Sequence, residues 1–396
     1  MSTAAPANAA SSIIPITPLE VVAGWVFGRT DLDISPDRSG DVGRAVDVLA
    51  DVIGRLRGDS PCFVAFSGGR DSSAVLAVAT RAARAAGIDD PIPVTDRFPG
   101  DEGAEESSWQ GAVIRHLGLR EWIRRDATLD CDLLGDTSTS MLRRYGVVWP
   151  PTASSNVQLY GVAKGGVMLT GEGGDAVFGT QRLTSVRRLM EARRPSRASL
   201  REAMGDLIPR RLRRSSKREA VDGMFGWLTQ KGREEVAELL IRDWIDEPFD
   251  WFRSVARDMS GRAGVVGLHN MGVLALDHGT TVGHPLRDPA FVSALAPVCR
   301  RLGFTDRTSF MTALFGDLLP RPVLQRVSKA TFNNVLFGPC SREFIHSWDG
   351  NGADPAVVDV ASLRAEWSSD LPSGMTFMLL QQAWIASTAA PTAASR

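Results

Sequence analysis

Between Phe63 and Gly87 the chain reads FVAFSGGRDSSAVLAVATRAARAAG. An apolar run stops at Ser67, two glycines follow, and Arg70, Asp71, Ser72 and Ser73 lead into an alanine-rich stretch of helical character that ends near Gly87. The run from Cys62 to Phe66, bounded by Pro61 and Ser67, suits a short strand buried on both faces. A buried strand that breaks at glycines and passes directly into a helix is half of a parallel α/β unit. That single junction constrains the fold more than any other feature of the sequence.

The same rhythm continues downstream. PIPVTDRFPG (91–100) reads as a second strand and its loop, and AEESSWQGAVIRHLG (104–118) as a helix with Trp109, Val113, Ile114 and Leu117 on one side. Glu105 and Glu106 fall in its first turn, where the helix dipole favours carboxylates. REWIRRD (120–126) is a third strand candidate, and GGVMLTGEGGD (165–175) a fourth that runs into a second glycine loop. The expectation is an α/β fold with an open parallel sheet flanked by helices. Residues 17–60 form an N-terminal helical segment, with Val42, Ala45, Val46, Leu49, Val52, Ile53 and Leu56 on one face. Residues 61–180 form the α/β core and 181–385 a mainly helical part, with disordered tails at 1–16 and 386–396.

Composition narrows the function classes. The net charge of −1 gives the chain as a whole no pull toward nucleic acid or an anionic membrane. The four cysteines are scattered without a CxxC pair, which indicates neither a zinc site nor a disulfide framework and fits a reducing compartment. No stretch approaches membrane-spanning length and the N-terminus lacks a signal-peptide pattern, so a cytoplasmic chain is expected.

In an open parallel sheet, ligands sit outside the carboxyl ends of the strands. SGGRDSS (67–73) and GEGGD (171–175) both fall at such ends. Glycine-rich turns let backbone N–H groups surround phosphate oxygens, and a helix N-terminus adds a favourable field. The hydroxyls of Ser67, Ser72 and Ser73 supply further donors, beside Gly68, Gly69 and Gly171. A carboxylate inside an anion loop repels phosphate unless a cation lies between them. Asp71 therefore implies Mg2+, with Asp175 as a second oxygen ligand. Neither loop is a Walker A or a dinucleotide fingerprint, since Gly-Lys-Ser/Thr and G-x-G-x-x-G are both missing.

SGGRDSS resembles the SGGxDS pyrophosphate loop of the ATP pyrophosphatases, the adenine nucleotide α-hydrolase-like fold. LTGEGGDAVFG (169–179) is similar to the GEGSDExFGG stretch of the asparagine synthetase domain and its relatives, the β-lactam synthetases and lasso-peptide cyclases. GHPLRDPAFVSAL (283–295) resembles the family's PFLD segment, and LPRPVLQRVSKATFNNVLFG (319–338) the segment that bears an essential lysine, here Lys329. Ala176 departs from the family's acidic residue, and Gly179-Thr180 interrupts its Gly-Gly.

The resemblance implies an ATP-dependent ligase. A substrate carboxylate attacks the α-phosphate of ATP, an acyl-adenylate and pyrophosphate form, and an amine then displaces AMP. Lys329 would neutralise charge in the transition state. Glu172, at the family's glutamate position, would orient the amine or help deprotonate it. About sixty residues precede the ATP region, too few for a glutaminase domain, so the amine is expected from ammonia, from a partner or carrier, or from the substrate itself.

Two other readings fit the same residues: a tRNA-modifying ATP pyrophosphatase, or a nucleotide-binding partner subunit. The arginine-rich segment 182–218 reads as a solvated helix face or as a docking surface for an acidic peptide, a carrier protein or RNA. The histidines show no metal-ligand spacing and read as structural or surface residues.

Overall fold

The central strand β1 (Cys62–Ala65) buries Cys62 and Val64 and has Phe63 and Ala65 partly covered. In the computed structural model, which describes residues 12–99, 106–127, 131–208, 214, 218, 219, 221, 223–326 and 333–389, β2 (Ile92–Arg97) and β4 (Val167–Leu169) pair with it in parallel from opposite sides. β3 (Ile123–Asp126) and β5 (Thr281–Gly283) add the two edges, giving a five-stranded sheet of order β3-β2-β1-β4-β5. The fold is the expected α/β type, a parallel sheet flanked by helices with a helical C-terminal part. Along β3 the ion pairs Arg97–Asp126 and Arg125–Asp96 tie the edge to β2. Charge on an edge strand discourages further strand pairing.

Two helices precede the sheet, α1 (Pro18–Ala23) and α2 (Val42–Arg57). α3 (Arg70–Ala85) connects β1 to β2, and α4 (Ser107–Leu117) connects β2 to β3. Asp41 caps α2 by accepting from the Arg44 N–H at 2.9 Å, and Gly58 ends it with φ +55°. Its face of Ala45, Val46, Leu49 and Ile53 enters one core with Val75 and Leu76 of α3 and with Phe291 and Leu295 of helix Pro289–Cys299. Leu49 is completely buried, so its truncation to alanine would cost about 2–5 kcal/mol. A second core gathers Val21 and Val22 of α1, Leu240 and Ile241, and Leu379 and Leu380 of the final helix, Phe377–Ala389.

Between β3 and β4 lie α5 (Asp136–Tyr145) and α6 (Ala153–Val162). After β4 come the short α7 (Gly174–Phe178), then α8 (Thr184–Glu191) and α9 (Arg197–Leu207). No helix among the described residues is long and apolar enough to cross a membrane.

Three details refine the expectation. The N-terminal helical segment is two helices. Ordered contacts begin inside the stretch expected as a tail, where the Ile14 N–H donates to Asn270 Oδ1 at 2.8 Å. And β5 lies within the part read as mainly helical. Thr-Val-Gly is too short to show an alternation, and Thr281 is exposed, so nothing local marks it as a strand.

Candidate active site

Strand order reverses between β1 and β4, which opens a crevice beyond their carboxyl ends. Both glycine loops sit there, in a cleft of about 640 Å³. Their contact depends on missing side chains. A Cβ at Gly171 would lie 2.7 Å from the Ser72 N, and one at Gly174 would overlap the Asp71 carboxyl group. The second loop therefore lies directly on the start of α3.

Within the first loop, Ser67 Oγ and Ser72 Oγ are 3.2 Å apart, and Ser67 Oγ accepts from the Gly69 N–H at 3.2 Å. No side chain caps α3, whose N-cap is Gly69, so the helix presents its first N–H groups to the cleft. Ser67, Gly69, Asp71, Ser72 and Gly171 all line it. Ser73 does not: it is fully buried, with an unpartnered Oγ. One residue beyond Ser72 on a helix points about 100° away, out of the cleft. Gly68 contributes its carbonyl, which accepts from Arg326 Nη1 at 3.4 Å.

Asp71 and Asp175 come together as the sequence suggested, but with an unforeseen cation between them. Arg307, the first residue of helix Arg307–Phe315, donates through Nη2 to Asp71 Oδ2 and through Nη1 to Asp175 Oδ1. Burial pushes the Asp71 carboxyl above the usual range even though Arg307 pulls it down. Burial also opposes the charge on Arg307, yet the two aspartates hold its pKa above the ordinary value. Arg70 adds a second guanidinium and donates to Thr308 Oγ1 at 3.2 Å. No group of three or more His, Cys, Asp or Glu side chains suited to a metal exists among the described residues. Magnesium held by one or two carboxylates together with substrate phosphates needs no such group. Asp71 Oδ1 is buried without a hydrogen-bond partner, and that donor beside Asp175 fits a hard cation.

A third guanidinium belongs to Arg326. It pairs with Glu106 in a bridge whose side chains are only 6% and 7% exposed, and it lies 5.3 Å from the Trp109 ring centroid. Gln110 Nε2 donates to the Ser67 carbonyl at 3.0 Å. Glu106 is thus the buried partner of Arg326 as well as the N-cap of α4. Lys329 lies outside the described residues.

Glu172 lines the opposite side of the cleft, with its N–H on Thr170 Oγ1 at 3.2 Å. Thr170 Oγ1 also shares a 2.7 Å hydrogen bond with His284 Nδ1. Burial, with Arg287 second, lowers the His284 pKa to about 4, so the ring is neutral. Arg287 sits beneath Gly173, donates to the Met259 carbonyl at 2.8 Å, and lies near enough to Glu172 to feel its charge. Residues 283–295 thus support the second loop from below. Further lining comes from Thr152, the N-cap of α6, from Ser155, Asn156 and Leu159 of α6, and from Met271.

Sequence reasoning did not find Arg307, Arg326, Asn156 or the positioning part of His284. The one local signal at Arg307 was the Asp-Arg-Thr-Ser opening of a helix, where Asp306 caps by accepting from the Ser309 N–H at 2.8 Å. It marks a helix start, not what the arginine reaches.

No curated protein matches the sequence significantly. Residues 46–199 match the model of the asparagine synthase family, whose members are ATP-dependent ligases. That span holds both glycine loops and four of the five strands. Over residues 46–199, therefore, the chain is similar to the asparagine synthase family.

Proposed function

We propose that the protein is an AMP-forming carbon–nitrogen ligase that adenylates a substrate carboxylate and passes the acyl group to an amine, in peptide or other natural-product biosynthesis. The observation that carries this is the convergence of the two glycine loops over the N-terminus of α3, with Arg70, Arg307 and Arg326 around them. Such a site suits a triphosphate, because its donors and cations are already in place before charge develops on the leaving pyrophosphate. The Ser67 and Ser72 hydroxyls and the loop N–H groups would bind the pyrophosphate. Arg307 would exchange one or both aspartates for phosphate oxygens as the nucleotide enters.

Asp71 and Asp175 would hold Mg2+, which supplies charge neutralisation on the phosphate chain when bound. Lys329 would add a mobile positive charge, and Glu172 would receive the proton of the attacking amine. The polar wall of α6 would seat the acid. The reading also takes the protein to be cytoplasmic, which its four free thiols support. Burial pushes the Cys62 thiol up to about 11, which counts against sulfur transfer to tRNA from that residue.

The test is a product screen with candidate carboxylates, including peptides, against an amine panel. AMP and pyrophosphate should appear only when acid and amine are both suitable. ADP and phosphate as products would end the proposal.

A further inference from the structure

The α8–α9 hairpin has a surface that the cleft chemistry does not use. Residues 182–218 hold thirteen arginines and lysines against three carboxylates, in a chain whose net charge is −1. Leu200, Met204 and Leu207 recur at the spacing of one helical face, and with Met190 of α8 they are between 49% and 72% exposed. Only Ala203 of α9 is buried. Arg187 and Arg188 pair with Glu191 and Glu202. Arg193, Arg194, Arg197 and Arg201 are exposed and form no ion pair with a described residue. An apolar stripe bordered by uncompensated guanidinium groups complements a segment that places carboxylates around apolar anchors.

The hairpin is also tied to the cleft. Gln181 Nε2, just before α8, donates to the Ala176 carbonyl of α7 at 3.1 Å. Arg188 Nε donates at 2.7 Å to the carbonyl of Thr305, two residues before Arg307. A chain lying on the hairpin is therefore close to where a carboxylate would be activated.

We infer that this surface binds an acidic, amphipathic segment of a peptide substrate, which rests on the ligase reading above. RNA fits less well, because residues 182–218 contain no aromatic side chain to stack on bases. A lipid surface fits less well, because residues 182–218 supply no aromatic of their own and Glu202 and Asp206 interrupt the basic face.

The experiment measures fluorescence anisotropy of a labelled leucine–glutamate amphipathic peptide on the full chain, without nucleotide. Its comparators are the same peptide with serine for leucine, a polyuridylate strand, and phosphatidylcholine–phosphatidylglycerol vesicles. The leucine–glutamate peptide should bind best and weaken with salt. Joint reversal of Arg193, Arg194, Arg197 and Arg201 to Glu should weaken it at least ~10-fold. Met204→Ser with Leu207→Ser should weaken it several-fold, and that loss should persist at high salt. A photoreactive group at the peptide's carboxyl end should label the cleft.

Unchanged binding in either variant, tighter binding of RNA or vesicles, self-association lost in the variants, or labelling confined to the hairpin would each overturn the inference. Both variants change exposed residues and should keep the wild-type melting curve. Because binding is read without ATP, failure here is separate from failure of the product screen.

Discussion

Glu106→Gln is the perturbation whose outcome the structure fixes most tightly. The change keeps the shape of the side chain but removes the carboxylate charge that pairs with Arg326, a guanidinium only 6% exposed. Breaking one half of a buried pair costs about 3–5 kcal/mol, whereas replacing both halves by apolar groups is often near neutral. Glu106→Leu with Arg326→Met should therefore recover most of the stability. It should fall short by about 1–2 kcal/mol for the lost contact with Trp109. Urea unfolding followed by tryptophan fluorescence reads both variants, since Trp109 lies beside the pair. Activity should separate from stability: Arg326 stands three residues before Lys329 and donates to the Gly68 carbonyl. The double variant should then fold well and still release pyrophosphate slowly. A loss below about 1 kcal/mol in Glu106→Gln, or a double variant no more stable than the single one, would refute the reasoning.

Other perturbations have equally definite outcomes. Asp71→Asn should abolish magnesium-dependent adenylation with an unchanged circular dichroism spectrum; full activity would rule out the metal assignment. Arg307→Ala should lower kcat/KM for pyrophosphate release by about 10²–10³, through the loss of preorganised positive charge, as a steady-state assay would show. His284 gives a pH dependence. Its folded pKa is depressed from 6.5 to about 4, so the stability it contributes is complete above 6.5 and is lost as pH falls toward 4. Linkage puts the loss at about 2 kcal/mol by pH 5. Denaturation at pH 7.5 and 5 should show that loss in the wild type and its absence in His284→Gln.

What could be read from the sequence follows physical reach. β1, β2 and β4 are interior strands whose apolar runs end at loops or glycines, and such runs reveal themselves locally. Gly171 and Gly174 carried a signal because close backbone contact requires glycine. Asp71 and Asp175 were legible as a pair only because each ends a glycine loop. By contrast, Arg307 meets Asp71 across 236 positions, and Arg326 meets Glu106 across 220. No local period encodes such partners. Glu106 was visible, but the helix dipole accounted for it before its long-range partner was known. Ser73 was grouped with Ser72 by composition, whereas helical geometry turns the two in different directions. His284 looked isolated because its partner, Thr170, lies on the neighbouring strand's loop.

The most direct measurement is the affinity for α,β-methylene-ATP with magnesium, in the wild type and in Gly171→Ala. The added methyl would meet the Ser72 N at 2.7 Å and push the two loops apart. The wild type should bind the analogue in a magnesium-dependent way, and the variant should keep its fold while binding at least ~10-fold more weakly, as expected when a preformed polar site loses its geometry. Equal binding by both proteins, or none by the wild type, would contradict the claim that the paired glycine loops form the nucleotide site.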